Sequence, residues 1–341
     1  MQRTHNKHIR LIALLLLAFL VGGFGWKLSA QVHQENLNFR LIAAIKHDDT
    51  STAIALLAQG ADPNALDTSL DSRSVWRQLW DHLRGKHPAK KVASTALLLA
   101  VQGPVGEGVP KENVPVVKAL LDKGADVNAR NEQGTTALMS AVAYDHIQTV
   151  KLLLKKGANV NLRDKPFYLD ISELGRIYHT LQSGRTALMY ASEMNDDLVI
   201  MKLLLDHGAN ANDADLQHNT LLMAAAGSGN IEKVRLLLDK GADVNARDNL
   251  GSTPLIIASN NGDLDIMRLL LQRGAQVNAR EANGETALME AAQLGHTEAV
   301  RFLLAAGAQV SLRTRDGKTA LMLAQDHRDV VSLLKKAGEK K

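Results

Sequence analysis

Twelve histidines and 36 acidic side chains are material enough for a metal centre or an acid–base pair, provided that a few recur at the spacing such chemistry needs. The histidines are dispersed instead, and no HExxH sets two of them one helical turn apart. A phosphate cradle requires a Walker loop or a Rossmann glycine fingerprint, and neither is present. The glycines of "PVGEGVPKEN" (104–113) lack the lysine followed by Ser or Thr and the strand-to-helix setting. There is no GxSxG elbow, and a chain without cysteine offers no thiolate for attack or ligation. The carboxylates give no basis for choosing a catalytic pair. The expectation is therefore a non-enzyme, with no catalytic residue, no cofactor and no metal.

What does recur is a phrase. "KGADVNARDNLGSTPLIIASNNGDLDIMRLLL" is followed by "QRGAQVNAREANGETALMEAAQLGHTEAVRFLL", a period of 33 residues. Gly-Ala pairs open at Gly60, Gly124, Gly157, Gly208, Gly241, Gly274 and Gly307; the gaps of 64 and 51 are one period plus extra chain. Each period holds two short apolar-periodic segments, such as "TALMEAAQLG" and "TEAVRFLLAAG", whose amphipathic helices are too short to stand alone. Thr136, Thr186, Thr220, Thr253, Thr286 and Thr319 precede the first helix, where a hydroxyl accepts an orphan N–H. The pairs Leu153-Leu154, Leu237-Leu238, Leu270-Leu271 and Leu303-Leu304 fall on the buried side of the second helix, each leucine worth about 2–5 kcal/mol on truncation to alanine. The glycine of each Gly-Ala pair then closes that helix in a left-handed conformation.

These residues resemble the ankyrin repeat. The family phrase Gly-x-Thr-Pro-Leu-His-x-Ala is carried by "GSTPLIIA" (251–258), the turn and second helix by "LGHTEAVRFLLAAGAQV" (294–310), and the closing loop by "GADVNARD" (241–248). The resemblance covers residues 37–338 in about eight units. It implies an all-α repeat solenoid, with stacked antiparallel helix pairs, projecting hairpin fingers and a concave surface that binds other proteins. The short apolar leader and the lack of elaborate extracellular stabilisation make the expected member a bacterial one, exported or membrane-anchored. The family's first-helix histidine is replaced by Met139, Met189, Met223, Met289 and Met322, and by Ile256 in one unit. Metal or a soft ligand would suit such a row, but apolar core packing is the expected role. His296, in "GHTE", falls at the inter-helix turn the family often fills with histidine, and is expected to be structural. The closing "SLLKKAGEKK" puts lysines where an outer apolar face would be, as a water-exposed cap requires.

The net charge of +4 is carried by the leader, since residues 1–30 hold Arg3, Lys7, Arg10 and Lys27 and no acid. The remainder is formally neutral, which argues against nucleic acid. Residues 11–26, "LIALLLLAFLVGGFGW", are unbroken apolar chain, about 24–27 Å of helix with its flanks. Two outcomes follow. Trp26 and Lys27 suit the interface of a retained anchor over residues 9–27, which puts the repeats in the periplasm on the inner membrane. Cleavage after Leu28-Ser29-Ala30 instead gives a soluble periplasmic or secreted form, an exported inhibitor or immunity-type protein. The expected division is an anchor or signal at 1–30, a linker at 31–36, repeats at 37–338 and a tail at 339–341.

Insertions near 66–93, 102–113 and 165–183 interrupt the period. The first and third hold five of the nine aromatic residues beyond the leader: Trp76, Trp80, Phe167, Tyr168 and Tyr178. Trp76, Leu79, Trp80 and Leu83 share one helical stripe, which either buttresses the stack or anchors a partner. The middle insertion, in a turn between helices, offers no chemistry. Arg130, Arg163, Arg247, Arg280 and Arg313 recur once per unit at about 10 Å intervals between adjacent units. Asp164, Asp248 and Glu281 follow three of them. That column, present in five of the roughly eight units, is either a solvated alternating charge ladder or a selector for an acidic protein partner. No small-molecule substrate is expected.

Overall fold

A computed structural model of the chain describes residues 29–67, 94–103, 111–165, 167–169, 180–182, 184–194 and 198–339. The chain divides into two compact bodies, Met1–Ala158 and Asn159–Lys341. In the first, helix α1 spans 29–46 and pairs with α2 (Thr50–Ala58); α3 (Ala96–Gln102) pairs with α4 (Val114–Asp122), and α5 (Ala137–Ala143) with α6 (Ile147–Lys155). The second body opens with β1 (Phe167–Leu169) and β2 (Thr180–Gln182), an antiparallel stub in which Phe167 faces Gln182. The pairs α7 (Ala187–Met194) with α8 (Leu198–Asp206), α9 (Leu221–Gly227) with α10 (Ile231–Asp239) and α11 (Pro254–Asn261) with α12 (Leu264–Gln272) follow. The chain closes with α13 (Ala287–Gln293) against α14 (Thr297–Ala305) and α15 (Ala320–Leu323) against α16 (Arg328–Gly338). Within each body first helices pack on first helices and second on second, as a helical repeat solenoid requires.

The period sets each pair. Seven threonines, the six expected and Thr95, accept the N–H of the third helical residue through Oγ1 at 3.2–3.4 Å. The Gly-Ala glycines hold φ between +83° and +97°, and nothing lies within 4 Å of where a Cβ would stand. Glycine is required there by backbone conformation alone. The first leucine of each second-helix pair is sealed: Leu153, Leu237, Leu270 and Leu303 are fully buried. The second is graded, since Leu154 and Leu238 are buried while Leu271 and Leu304 lie at the edge.

The methionine row is core, with one exception. Met139, Met189, Met223 and Met289 are buried with Ile256, whereas Met322, on the last described first helix, is 53% exposed. The substitution is not purely apolar either. The sulfurs of Met139 and Met223 accept the N–H of their own capping threonines, Thr136 and Thr220, at 3.5 and 3.4 Å.

Consecutive units are tied by asparagine. Asn64, Asn212, Asn245 and Asn278 each donate Nδ2 to the Gly-Ala glycine carbonyl of the following unit. Their Oδ1 atoms accept a backbone N–H two residues beyond that glycine. Asn161 makes the same pair of bonds to Gly208 and Asn210. At the amino end α1 supplies substitutes: Gln34 donates to the Gly60 carbonyl and Asn38 accepts from Asp62 N–H, at 3.0 and 2.8 Å. Residues 31–36, expected as a linker, are therefore turns of a helix that caps the first unit. No helix among the described residues is long and apolar enough to cross a membrane; residues 9–27 lie outside them.

Candidate protein-binding surface

The five arginines are committed to the fingers. Arg130 Nε donates to Gly134 O at 3.1 Å, and Arg280 Nε to Gly284 O at 3.3 Å. Arg247 and Arg313 reach Gly251 O and Gly317 O at 3.2 and 2.7 Å. Two forks extend to the next unit as well, Arg247 to Arg280 O at 2.8 Å and Arg280 to Arg313 O at 2.5 Å. Arg163 serves the unit that follows the third insertion, donating to Gly184 O and Ala214 O and pairing with Asp213 at 2.9 Å. These side chains are staples across hairpin fingers.

The residue after each arginine completes the finger. Asp248 Oδ1 accepts from the N–H groups of Leu250 and Ser252, Glu281 Oε1 from those of Asn283 and Glu285. Asn131 and Thr314 each accept from one such group. These are turns organised by a side-chain oxygen. Tips are joined in turn: Asn249 N–H donates to Gln217 O, Ala282 N–H to Leu250 O and Arg315 N–H to Asn283 O.

The unit after the third insertion carries two buried carboxylates. Asp164 accepts from Arg185 N–H and from the Tyr190 hydroxyl at 2.5 and 2.6 Å. Asp213 accepts from Arg163 and from the Thr186 hydroxyl at 2.9 and 2.7 Å. Burial, then the hydrogen bond to Asp164, pushes the Tyr190 phenol well above its ordinary value. Arg185 lies 5.5 Å over the Tyr190 ring and pairs with Glu193 at 2.8 Å.

Spacing marks the same unit. Thr186 to Gly208 spans 22 residues, where Thr220 to Gly241 and Thr253 to Gly274 span 21. A cavity of about 380 Å³ opens between this unit and the next, lined by Ser192, Glu193, Ala224 and Lys233 among others. Lys233 stands where neighbouring units have Ile200 and Ile266, and donates to Ser192 O at 3.0 Å.

Of the aromatic candidates, Phe167 and Tyr168 lie on β1, while Trp76, Trp80 and Tyr178 fall outside the described residues. The first insertion leaves and re-enters at a finger base, where Leu66 bridges Thr95 and Asp67 N–H donates to Ser94 O. His296 donates through Nε2–H to Asn260 O, 2.8 Å away, and His327 does the same to Gln293 O, 3.0 Å away. Both tie one unit to its predecessor.

A finger row stapled by arginine, paired helices capped by threonine and loops closed by left-handed glycine all coincide with one family. The model described as "Ankyrin repeats (3 copies)" matches residues 17–164, 169–248, 200–281 and 255–341. The chain belongs to the ankyrin repeat family. No curated protein matches it closely enough to be a relative. Ankyrin repeats generally mediate contact between proteins. Sequence reasoning missed the finger tips. The signal was present at His218, which stands where the fingers ending at Gly134, Gly251, Gly284 and Gly317 have glycine.

Proposed function

We propose that this ankyrin repeat protein is a non-enzymatic recognition scaffold, tethered to the inner membrane through residues 9–27 and facing the periplasm, that holds a protein partner on its first helices and fingers. One observation carries the binding reading. The fingers at Arg247 and Arg280 are fixed at their base by an arginine fork and a side-chain oxygen, and the finger 215–219, which has Ala214 in the arginine's place, by the Asp215 carboxylate, so these tips are presented without a large ordering cost on association. The tether reading is supported by the apolar run 11–26 behind Arg3, Lys7 and Arg10.

The experiment has two arms. Crosslinking of intact envelopes, followed by purification of the full chain, recovers a protein that is lost when the fingers are disordered by Arg247→Met and Arg280→Met together. The chain itself stays in the membrane pellet after carbonate extraction. Full release with an amino terminus at Gln31 would overturn the tether and favour the soluble exported inhibitor. That second reading is supported by α1, whose contacts from Gln34 and Asn38 lie entirely beyond a cut after Ala30.

A further inference from the structure

Fingers 215–219 and 248–252 share one departure from the others, and 215–219 adds a second. Their tips expose leucines, Leu216 at 42% and Leu250 at 65%, where the other described tips carry Glu132 and Gln133, Ala282 and Asn283, or Arg315 and Asp316. His218 also holds φ +59°, a left-handed conformation that the corresponding Gly134, Gly251, Gly284 and Gly317 adopt freely at +77° to +87°. A side chain kept at a position that suits glycine marks a place where the side chain has a use.

The two features meet. Asn249 donates its N–H to Gln217 O and its amide to Leu216 O at 3.3 Å. That orientation turns Asn249 Oδ1 to the imidazole of His218, 2.5 Å from Nδ1, so Nδ1 carries the proton and Nε2 is left as an outward acceptor. Leu216 and Leu250 flank this pairing in adjacent fingers. The charge at the tips comes from Asp215 and Asp248: Asp213 is buried and paired with Arg163, and Arg247 is spent on two carbonyls.

We infer that the tips at Leu216, His218, Asn249 and Leu250 are the contact point of the scaffold, and that they take a partner segment in which a bulky apolar side chain is flanked by lysine or arginine. The apolar residue covers the two leucines. Its basic neighbour faces Asp215 and Asp248 and donates to His218 Nε2. This inference rests on reading the repeats as a protein-binding scaffold.

Random twelve-residue peptides displayed on phage, panned against the full-length protein in detergent, provide the test. Enriched peptides should pair a bulky apolar residue with a neighbouring Lys or Arg. Their synthetic forms should bind roughly tenfold more weakly to the Leu216→Ser, Leu250→Ser double variant, which removes only exposed side chains. The His218→Gly variant should weaken the same peptides while melting no lower than the parent. A midpoint lowered by more than a few degrees would make His218 a structural staple and overturn the inference. So would acidic peptides, or peptides indifferent to the double variant. If those indifferent peptides are lost with Ala224→Glu on the first-helix row, the scaffold reading survives and the finger-tip inference alone falls. Enrichment of no peptide at all sinks both.

Discussion

Asp164 and Asp213 are charges taken out of water, and each is tolerated because hydroxyl and N–H donors surround it. Tyr190→Phe removes one donor from Asp164 and leaves the carboxylate in place. Stability should fall by about 1–3 kcal/mol, read as a shift of the urea midpoint at constant slope. Glu285 is the opposite case. Burial, then its hydrogen bond to Glu290 and the charges of Glu290 and Glu281, hold its carboxyl above the ordinary value. Because the folded state binds that proton more tightly than the unfolded chain, the contribution is complete below the ordinary value and is lost as pH rises through the raised one. Glu285→Gln should therefore raise the melting midpoint by about 2 °C at pH 7, with the gain vanishing toward pH 4. A gain that instead grows on acidification would contradict the assignment. The two aspartate sites were not legible in the chain, since their partners lie 21 to 50 residues away.

At the scale of elements, the helices were readable because each carries its own start and stop. Threonine, two leucines and glycine keep their order in successive units, and local rules suffice to place them. The fingers were not readable in the same way. An arginine that recurs once per period says nothing of its acceptor when that acceptor is a backbone carbonyl, which every residue owns. The alternating ladder expected on the fingers exists on the second helices instead, where Lys156, Lys240 and Arg273 reach Asp122, Asp206 and Asp239 of the preceding unit. Exposed pairs of that kind contribute little, whereas the finger staples determine local opening. Replacing Arg280 by Met leaves the stem and removes the fork, at a cost of about 1–3 kcal/mol. Hydrogen exchange should then accelerate at the amides of Glu281, Gly284 and Arg315 ahead of those in α13. Uniform acceleration through α13 would mean that the staple secures the whole unit.

For the molecule as a whole, position in the row outranks residue identity. Met289 and Met322 occupy the same place in the repeat, yet one is 1% and the other 53% exposed. Met289→Ala should cost about 2–5 kcal/mol and Met322→Ala less than about 0.5, measured by chemical denaturation. Equal costs would mean that α15 is covered in solution. Sequence period alone predicts equality here, because a repeat motif records the unit and is silent about its neighbours. The asparagine bridges point one way: the side chain of an earlier unit holds the loop of the later one. A chain made from its amino end therefore never waits for a clamp, as each newly synthesised helix pair meets an amide already rigidly presented. Circular permutants that begin at a downstream unit would lose this order of assembly while keeping nearly every final bond, and slower refolding at similar equilibrium stability would be its signature.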